Sequence, residues 1–508
     1  MFPRAAYRAR AVGVRRSSAA VFAPMSRGGR PSPAARPVTP GDRSFHAPPG
    51  RPWKPRTEMT LAVVLFTQDL RLHDNPALYA ARAAADQVVP LFVTDPAIAA
   101  AGFAAPNRRA FLAGCLTDLD ASLRRLGGRL LVREGDTAEQ AARLAAELGA
   151  VAVHVAAGVS GYARRREQRL RRALGDRLRV HEGSLTAVPP GAVTPAGRDH
   201  YAVFTPYQRA WQQVGRRAPL PVPGPLNTPT GLQGSDIGSV KPTAGSLPAA
   251  GESAARRAWQ HWRVAQYAQL HDDLAADGTS HLSPYLHFGC LSANELVHLA
   301  ERRGGPGAEA FVRQLVWRDF HHQVLAARPA AAHADYRTRH DSWRTDEAEF
   351  AAWQQGRTGF PIVDAGMRQL AETGWMHNRA RLLTASFLAK SLYLDWRLGA
   401  RHFLDHLVDG DLANNQLNWQ WVAGTGTDTR PNRVLNPLAQ ADRYDPDGAY
   451  VRRWVPELAA LSGREIHRPW RARRRPADYP APLIAPESTG VRFREARESL
   501  KGDQEEAN

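Results

Sequence analysis

Strand-like and helix-like segments alternate along the first part of this sequence, and then the strand-like segments stop. Short apolar runs typical of buried strands occupy residues 61–66, 88–94, 129–133, 151–156 and 178–181. Stretches rich in alanine and leucine, with helical periodicity, lie between them at residues 76–85, 107–126, 137–148 and 162–174. Such alternation with short loops is typical of parallel sheets covered by helices on both faces. We therefore predict a Rossmann-like α/β domain with a five-stranded parallel sheet.

From residue 256 the pattern is helical and rich in Trp, Arg and His, which predicts a second, all-α domain. The segment between the two domains is rich in Pro, Gly, Ser and Thr and is predicted to be a loop, apart from an ordered stretch at 205–211. The predicted organisation is a basic leader (1–58), an α/β domain (59–183), a connector (184–255), a helical domain (256–470) and a tail (471–508).

The leader carries much of the positive charge. The whole chain has a net charge of +18, and residues 1–58 hold twelve Lys or Arg and only two acidic residues. The leader is compatible with a transit-type peptide, a disordered basic arm or translated upstream sequence, and we favour a start at Met59, just before the first strand. The remaining chain is still basic, which suits a polyanionic partner but also simple solubility.

Cysteine content and hydropathy exclude several classes of protein. The two cysteines, Cys115 and Cys290, are too few for a disulfide framework or a cysteine-based zinc site, and we predict no metal site. This usage fits a reducing cytosol. No apolar run reaches the length of about 18 residues that a membrane span needs. We expect a cytoplasmic protein of the bacterial cytosol or nucleoid that has no membrane partner and acts as a monomer.

The segment richest in candidate site residues is 409–421, which reads DGDLANNQLNWQW. Two carboxylates, two adjacent amides and two indoles in so short a stretch suit a pocket for a large, flat, polar-edged, redox-active ring. Asn415 is placed to meet a ring nitrogen, and Asp409 and Asp411 to accept from hydroxyl or N–H donors. A tryptophan-rich helix end with a polar cap would give the same pattern, so both interpretations stand at this point.

Three further motifs allow a functional and a structural interpretation. GTSHLS at 278–283 suits phosphate oxygens or an ordinary helix cap. In FVRQLVWRDF, residues Gln314, Trp317 and Arg318 share one helix face and offer a carboxamide, a large ring and a cation. In WMHNRARLL, a buried Arg381 would need a carboxylate, for which Asp409 is the natural candidate.

Together with FTQDLRLHDNPAL and TGFPIVDAGMRQLAETG, these motifs resemble the photolyase/cryptochrome family from about residue 61 to 461. The resemblance implies an N-terminal α/β antenna domain and a C-terminal helical domain that binds FAD, active as FADH⁻. Asn415 would face the flavin N5, and Arg381 and Asp409 would pair beside the flavin edge. The implied FAD contacts are Tyr267, Thr279, Ser280, His281, Leu282, Ser283, Gln314, Arg318, Trp375, Asn378, Arg381, Asp409, Gly410, Asp411 and Asn415.

The resemblance also implies light-driven repair of cyclobutane pyrimidine dimers in UV-damaged DNA. Excited FADH⁻ would give an electron to a flipped-out dimer, with Gln314, Asn378, Trp317 and Trp421 as the catalytic contacts. Trp419, Trp396 and Trp343 match the photoreduction chain of the family. The implied DNA contacts are Trp317, Arg379, Trp421, Arg433, Gln440 and Arg443.

Departures from the family pattern refine this prediction. Gln314 stands where a glutamate is usual, and Leu382 where a methionine is common. Asn378 and Leu382 also occupy the places of the histidine pair in (6-4) enzymes, so we predict the cyclobutane type, as in class I bacterial photolyases. The alternative is a cryptochrome-like blue-light photosensor.

The sequence does not define which chromophore the antenna domain would bind. Asp95 and Arg108 lie at antenna contact positions of the branch that binds deazaflavin. Gln68 and Gly158, however, replace charged residues on either side of that pocket. An 8-hydroxy-5-deazaflavin, a 5,10-methenyltetrahydrofolate or an empty antenna site are all compatible with the chain.

Overall fold

Five parallel strands form one sheet in the first part of the chain. A computed structural model describes residues 59–474 and 476–506, with side chains to residue 499, so the predictions for the leader lie outside the described residues. The strands are β1 Leu61–Leu65, β2 Gln87–Thr94, β3 Leu131–Glu134, β4 Ala152–Ala156 and β5 Leu178–His181. Their order in the sheet is β3–β2–β1–β4–β5, and every residue of the central strand β1 is buried. The predicted five-stranded parallel sheet is confirmed.

The helices that follow these strands begin at clear local signals. Asn75, Asp136 and Ser160 each cap a helix with a side-chain oxygen that accepts a backbone N–H of the first turn. A short helix after β2 begins at a proline, where the missing N–H costs nothing. These helices are α1 Pro76–Ala84, α2 Pro96–Ala100, α3 Pro106–Arg125, α4 Thr137–Glu147 and α5 Gly161–Leu174.

The connector contains two helices, α6 Phe204–Gln213 and α7 Glu252–His261. Between them, residues 214–251 contain no helix or strand and run along the α/β domain. The Ser235 N–H donates to Val132 O at 2.8 Å, and the Thr243 N–H donates to Asn107 Oδ1 at 2.9 Å. The predicted ordered stretch 205–211 lies inside α6.

Beyond the connector the described chain is helical, with one isolated bridge between Arg344 and Leu394. This agrees with the predicted all-α domain. A π-helix, Phe387–Leu392, directly follows the α-helix Asn378–Ser386. Short 3₁₀ turns occur at Gly175–Arg177, Val264–Gln266, Pro329–Ala332, Pro456–Leu458, Gly463–His467, Pro469–Arg471 and Pro486–Ser488. The α-helices are α8 Tyr267–Leu270, α9 Ser283–Phe288, α10 Ala293–Arg303, α11 Gly305–Ala327, α12 Glu347–Gln354, α13 Pro361–Thr373, α14 Asn378–Ser386, α15 Trp396–His406, α16 Leu412–Ala423, α17 Pro437–Tyr444, α18 Ala449–Trp454 and α19 Val491–Glu506.

One hydrophobic core joins the α/β and helical parts. It includes Phe66 after β1, Phe111 on α3, and Phe288 and Phe320 of the helical part. At Gly289, which has φ +71°, an added Cβ would overlap the backbone oxygen of Gln68. The two parts therefore meet with backbone against backbone, and they belong to one compact unit.

A second core lies within the helical part, around Trp353, Phe387, Trp396 and Trp419. The predicted site lies among the helices that these two cores support. Among residues 59–474 and 476–506, no helix has the length and apolar character required to cross a membrane.

Candidate active site

A turn before α9 collects residues predicted to face the cofactor phosphates. Asp277 and His281 both have left-handed backbone, with φ 47° and 51°. Non-glycine residues adopt this conformation seldom, so the turn is locally constrained. The His281 ring lies 4.0 Å from the Trp375 ring, and Trp375 Nε1 donates to Ser283 Oγ at 3.2 Å. Trp375 thus contacts both of the predicted residues His281 and Ser283.

The same turn presents an unpaired hydroxyl. Thr279 Oγ1 is buried and has no hydrogen-bond partner among the described residues. Ser280 Oγ accepts the Leu282 N–H at 3.4 Å. The nearby Tyr267 ring is buried against Trp262 at 5.3 Å. A buried hydroxyl without a partner calls for a polar ligand atom.

Arg381 and Asp409 form an ion pair in the interior. Arg381 Nη2 lies 2.8 Å from Asp409 Oδ2, and Arg381 Nε donates to Met376 O at 2.8 Å. The Asp409 side chain is only 2 % exposed, and its other oxygen, Oδ1, has no partner in the described part of the chain. One carboxylate oxygen therefore anchors the arginine while the other can accept from a ligand. The next residue, Gly410, packs against the Arg108 guanidinium, because an added Cβ would lie 2.7 Å from Arg108 Nη1.

Asp411 is a buried carboxylate that stays ionised. It caps α16 by accepting the Asn414 N–H at 2.8 Å, and His322 Nε2 lies 3.3 Å from its other oxygen. Burial by itself would raise the pKa of Asp411, but His322, Arg318 and His287 together hold that pKa well below its usual value. The site thus contains two carboxyl side chains, Asp409 and Asp411, close together in the chain.

Asn415 is oriented by contacts within the protein. Its Nδ2 donates to Ala400 O at 3.0 Å and to Gln416 Oε1 at 2.9 Å. Gln416 is itself held, because its Nε2 donates to Ala332 O at 2.5 Å. Since the amide nitrogen is committed to these acceptors, the Oδ1 atom of Asn415 is the end that can accept from a ligand.

Residues on α11 extend from the surface to the interior within one turn. Gln314 is exposed, Trp317 is half-buried and Arg318 is buried. Arg318 donates to Leu185 O at 2.5 Å and to Leu286 O at 3.3 Å, so its described bonds go to backbone carbonyls. Gln314 therefore stands at the solvent side of the site, and Asn378, the exposed first residue of α14, is likewise at the surface.

Two tryptophans are packed on opposite cores. The Trp317 ring lies against the core shared by the two parts of the chain and stacks on Phe204 of α6, with centroids 3.5 Å apart and planes 2° apart. Trp421 is half-buried against the second core, and the Arg433 guanidinium lies 4.6 Å from its ring centroid. Each indole has a support behind it, as a rigid stacking surface requires.

The three tryptophans of the predicted electron path have different surroundings. Trp419 is buried on α16, and its Nε1 has no partner within the described ranges. Trp396 Nε1 donates to Asp335 Oδ1 at 2.9 Å. The partly exposed Trp343 lies 4.9 Å, between centroids, from Tyr393. The predicted path would therefore begin at a buried indole without a polar partner and end at a partly exposed one.

The predicted DNA contacts include several arginines that lie over aromatic rings. Arg379 and Arg443 lie 4.4 and 5.1 Å from the Tyr444 ring centroid. Arg379 also pairs with Asp272 at 2.5 Å. Gln440, partly exposed on α17, lies one turn before Tyr444. The structure thus places 379, 443 and 440 around Tyr444, with Arg433 nearer Trp421.

The two predicted antenna residues have other partners. Asp95 accepts from Tyr162 OH at 2.6 Å and from Thr137 Oγ1 at 2.9 Å. Arg108 donates to Leu407 O at 3.0 Å and also to Phe103 and Leu404 carbonyls. Burial lowers the pKa of Arg108 to about 10. Both side chains serve the packing of α3 and α4, and the antenna assignment stays a prediction.

The set of unpaired polar atoms fits FAD. The buried polar atoms that lack a partner in the described ranges include Thr279 Oγ1, His287 Nδ1, Asp409 Oδ1 and Trp419 Nε1, which lie on segments around the site. Such atoms are rare in folded proteins, and FAD offers hydroxyls, ring N–H groups and phosphate oxygens to pair with them. No group of three or more His, Cys, Asp or Glu placed for a metal ion occurs in the described residues.

Sequence reasoning missed several residues of this region. Phe204 supports Trp317 from the connector, and Asp335 and Tyr393 contact the outer tryptophans. His322 lies one helical turn after Arg318, and that spacing could have revealed it. The others are brought in by segments distant in sequence, for which no local signal exists.

Comparison with known proteins gives consistent matches. Residues 62–225 match the family described as DNA photolyase, and residues 311–499 match the FAD binding domain of DNA photolyase. The chain is 58% identical over 452 residues to a deoxyribodipyrimidine photo-lyase of Streptomyces griseus, covering 86% of this chain and 99% of that protein.

Solved structures show the same likeness. A class III photolyase from Agrobacterium tumefaciens superimposes with a TM-score of 0.83 at 32% identity, covering 89% of this chain and 100% of that one. A cryptochrome from Synechocystis superimposes with a TM-score of 0.79 at 28% identity, covering 88% and 99%.

Proposed function

Because this chain belongs to the DNA photolyase family, we propose that the residues described above divide between them the tasks of light-driven pyrimidine-dimer repair in DNA, the reaction that this enzyme catalyses. FAD is its cofactor. When bound in its reduced form, FAD supplies the photoexcited electron that opens the dimer. The observation that carries the proposed division is the Arg381–Asp409 pair, whose second carboxylate oxygen has no partner among the described residues.

The residues of the phosphate side and the flavin edge hold the cofactor. Thr279 Oγ1 would donate to or accept from the phosphate–ribityl chain, and Asp409 Oδ1 would accept a flavin N–H or a hydroxyl. Arg381 holds Asp409 in position through their ion pair. Tyr267, Ser280, Leu282, Gly410 and Arg318 shape the walls, and His281, Ser283 and Trp375 fix the turn.

Asn415 would be the residue that meets the flavin centre. Its Nδ2 is held by Ala400 and Gln416, so its Oδ1 can accept the N–H that a reduced flavin carries at N5. A neutral amide does this without adding charge to the anionic reduced ring.

The dimer would enter between Trp317 and Trp421. A dimer inside a duplex must be flipped out to reach a buried cofactor, and flipping costs less for a damaged base pair. Stacking on indole faces is tolerant of base identity and stabilises each base by about 1–3 kcal/mol. The exposed carboxamides of Gln314 and Asn378 would pair with the polar edges of the bases.

The flanking arginines would hold the DNA strand. Arg379, Arg433 and Arg443, with Gln440, lie near Tyr444 and Trp421. Phosphate contacts release counterions, so binding to dimer-containing DNA should weaken as salt increases. Trp419, Trp396 and Trp343 would return electrons to the flavin when it has become oxidised.

A repair assay on the prereduced enzyme tests this assignment. We expect Gln314→Ala and Asn378→Ala each to slow dimer opening about tenfold, which corresponds to about 1.4 kcal/mol. The matched control is Gln355→Ala, which removes an exposed carboxamide at the end of α12. Repair is read as recovery of thymine absorbance in a dimer-containing oligonucleotide under blue light.

The outcomes of this assay separate the alternatives. Normal repair by both variants would remove the carboxamides from the catalytic contacts. Repair missing in the prereduced wild-type enzyme, with photoreduction intact, would favour a cryptochrome-like sensor.

Some properties extend this proposal further. We infer a monomer in the cytoplasm, where chromosomal DNA is the substrate and where its two free, buried cysteines stay reduced. Asp95 and Arg108 keep their proposed antenna role only if their present partners yield to a chromophore. Extracting the bound chromophores and recording their spectra distinguishes a deazaflavin, a folate and an unused antenna site.

A further inference from the structure

A lysine is buried beneath the chain segment that leads into α17. Lys390 lies in the π-helix Phe387–Leu392 and is only 1 % exposed. Lysine is rarely buried, because its ammonium loses favourable hydration in the interior. Burial lowers the pKa of Lys390 to about 7. An apolar side chain would fill the same space without this loss, so the lysine should serve a purpose other than packing.

The ammonium bonds the main chain of the segment above it. Lys390 Nζ donates to Pro431 O at 2.5 Å and to Arg433 O at 2.7 Å. The Phe493 ring of α19 also faces it, with the ring centroid 4.5 Å from Nζ. An ammonium offers three N–H donors and no acceptor, so carbonyl oxygens and an aromatic face are suitable partners. Lys390 therefore clamps two carbonyls that stand two residues apart.

The clamped chain is residues 428–436, here called the α16–α17 segment, which contains no helix or strand. The Arg433 N–H donates to Arg430 O at 3.1 Å, which closes a turn within the segment. The Leu435 N–H donates to Ser386 Oγ at 3.2 Å. Ser386 ends α14, directly before the π-helix. The segment is thus attached to one helical stretch at two points.

The α16–α17 segment carries a proposed DNA contact. The Arg433 guanidinium lies 4.6 Å from the Trp421 ring centroid, and its Nη2 lies 3.9 Å from Asp428 Oδ2. The carbonyl of the same residue is the one that Lys390 bonds. Because the main chain of a residue limits where its side chain can reach, the clamp also limits the position of the guanidinium over Trp421.

The helical stretch that holds the segment also carries a proposed contact to the dimer. Asn378 is the first residue of α14, and the π-helix with Lys390 follows α14 without a break. Twelve residues at a rise of about 1.5 Å each separate the two by about 18 Å. A continuous helix is stiff, so the dimer contact and the clamp are held at a fixed separation.

Charged groups around Lys390 act on it in both directions. Asp428 and Asp341 favour the ammonium, whereas Arg433 and Arg497 oppose it. The described hydrogen bonds of Nζ go to carbonyls rather than to either carboxylate. The fold thus uses this cation to set main-chain geometry and not to complete an ion pair.

We propose that Lys390, assisted by Ser386, is a positioning residue for DNA binding. It fixes the backbone of the α16–α17 segment and thereby places Arg433 over Trp421. This rests on the proposed function, in which those two side chains contact the damaged DNA. Without the clamp the free enzyme would have to order the segment on binding, and that ordering would weaken the complex.

DNA binding by the FAD-loaded enzyme in the dark tests the proposal. Lys390→Met keeps an unbranched side chain of similar length and removes the N–H donors. Its Kd for a dimer-containing duplex should rise about tenfold, as expected when one stacked or charged contact is lost. In single-turnover repair, the DNA concentration that gives half the maximal rate should rise with the Kd, while the maximal rate changes little. A lysine that only stabilised the fold would not separate these two quantities.

A double variant shows whether Lys390 acts through Arg433. Arg433→Gln alone should weaken binding, because it removes the proposed contact. Adding Lys390→Met to Arg433→Gln should then weaken binding little further, since the side chain that the clamp positions is already gone. Losses that multiply in the double variant would show that Lys390 acts elsewhere, and they would overturn the proposal.

A fluorine signal from Trp421 reports the geometry without DNA. The holoenzyme is labelled with 5-fluorotryptophan, and Trp421→Phe identifies the signal by its loss. That signal should move in Lys390→Met, because Arg433 no longer lies over the ring. The matched control is Lys241→Met, which removes the same charge at an exposed position of the connector and should change neither the signal nor, to any large extent, the Kd.

Ser386→Ala keeps the test decisive if Lys390→Met folds poorly. This variant removes the acceptor of the Leu435 N–H and leaves the ammonium in place. We expect about threefold weaker binding, again with little further loss when it is combined with Arg433→Gln.

The results separate this proposal from the function on which it rests. Weak binding by Arg433→Gln with wild-type binding by Lys390→Met, or by Ser386→Ala where the first variant does not fold, overturns the positioning role and leaves the Arg433 contact intact. Wild-type binding by Arg433→Gln rejects the proposed DNA contact and the positioning role together.

Discussion

At the scale of single residues, the site depends on polar side chains that bond the protein through one atom and keep a second polar atom for a ligand. Asn415 donates through Nδ2 to Ala400 and Gln416 and keeps Oδ1, while Asp409 uses Oδ2 for Arg381 and keeps Oδ1. The sequence supplies the identities of these residues and suggests the Arg381–Asp409 pair. It does not reveal that Ala400 and Gln416 orient Asn415, because Ala400 acts through its backbone and lies on another helix.

Asn415→Asp should destabilise the fold. The new oxygen would face two acceptors, Ala400 O and Gln416 Oε1, and the free energy of unfolding should fall by about 2 kcal/mol at neutral pH. The pKa of this carboxyl should be raised, so the loss relative to the wild type should shrink as the pH is lowered and the acid becomes protonated.

Urea unfolding of the apoprotein at several pH values measures this loss. Asn432→Asp, at an exposed loop position, is the control. A loss of stability that is equal at all pH values would contradict the assigned orientation of Asn415.

At the scale of helices and strands, the sheet follows directly from the apolar runs, and its five strands lie within two residues of the predicted bounds. Helix packing is less accessible to sequence reasoning. The Phe204–Trp317 stack joins the connector to α11. Tyr393, the residue after the π-helix, has left-handed backbone with φ +57°, and it bonds Asp341 through its phenol and the Arg344 N–H through its carbonyl. These features depend on contacts far apart in the chain, which local propensity does not encode.

Gly399 of α15 packs closely against Trp419 of α16. An added Cβ would overlap the Trp419 ring and approach Leu388 Cδ2 to 2.6 Å. Gly399→Ala should therefore lower the free energy of unfolding by about 1–3 kcal/mol, despite the better helix propensity of alanine, and should slow photoreduction of oxidised FAD by displacing Trp419.

Chemical denaturation and flash photoreduction check the two effects. Gly161→Ala at the start of α5 is a matched control, because its added Cβ would meet only Arg165 Nη1, at 3.4 Å. We expect that change to be neutral or slightly stabilising. Wild-type stability and photoreduction in Gly399→Ala would refute the close-packing argument.

At the scale of the whole molecule, the described residues bury many histidines. The pKa values of His154, His287, His321 and His377 are lowered to about 4, and that of His402 to about 3, in each case chiefly by burial. These histidines are neutral in the folded enzyme at neutral pH. Composition alone gives the number of histidines but not their burial.

Acid should therefore destabilise the enzyme at pH values well above the usual pKa range of carboxylates. Between pH 6.5 and 4 the unfolded chain binds more protons at these histidines than the folded chain does, so stability falls as the pH is lowered through that window. Each histidine contributes up to about 1.4 kcal/mol per pH unit.

His402→Gln tests one such contribution, because a carboxamide can keep the contact with Gln354 Nε2. The variant should lose less stability than the wild type between pH 6.5 and 4, as measured by urea unfolding at fixed temperature. His261→Gln, at an exposed position, controls for the substitution itself. An identical acid response of His402→Gln and wild type would show that His402 takes up no extra proton on unfolding.

The core that includes Phe66, Phe111 and Phe288, with Gly289 against the backbone of Gln68, also bears on how such a molecule is inherited. A crossover within the connector would exchange one half of this core and keep the other. The recombinant would then combine two core surfaces that were never selected together. If residue 289 carried even a methyl group, that group would overlap the backbone at Gln68 and keep the two surfaces apart. We therefore expect the two parts of the gene to diverge in concert and to travel between genomes as one piece.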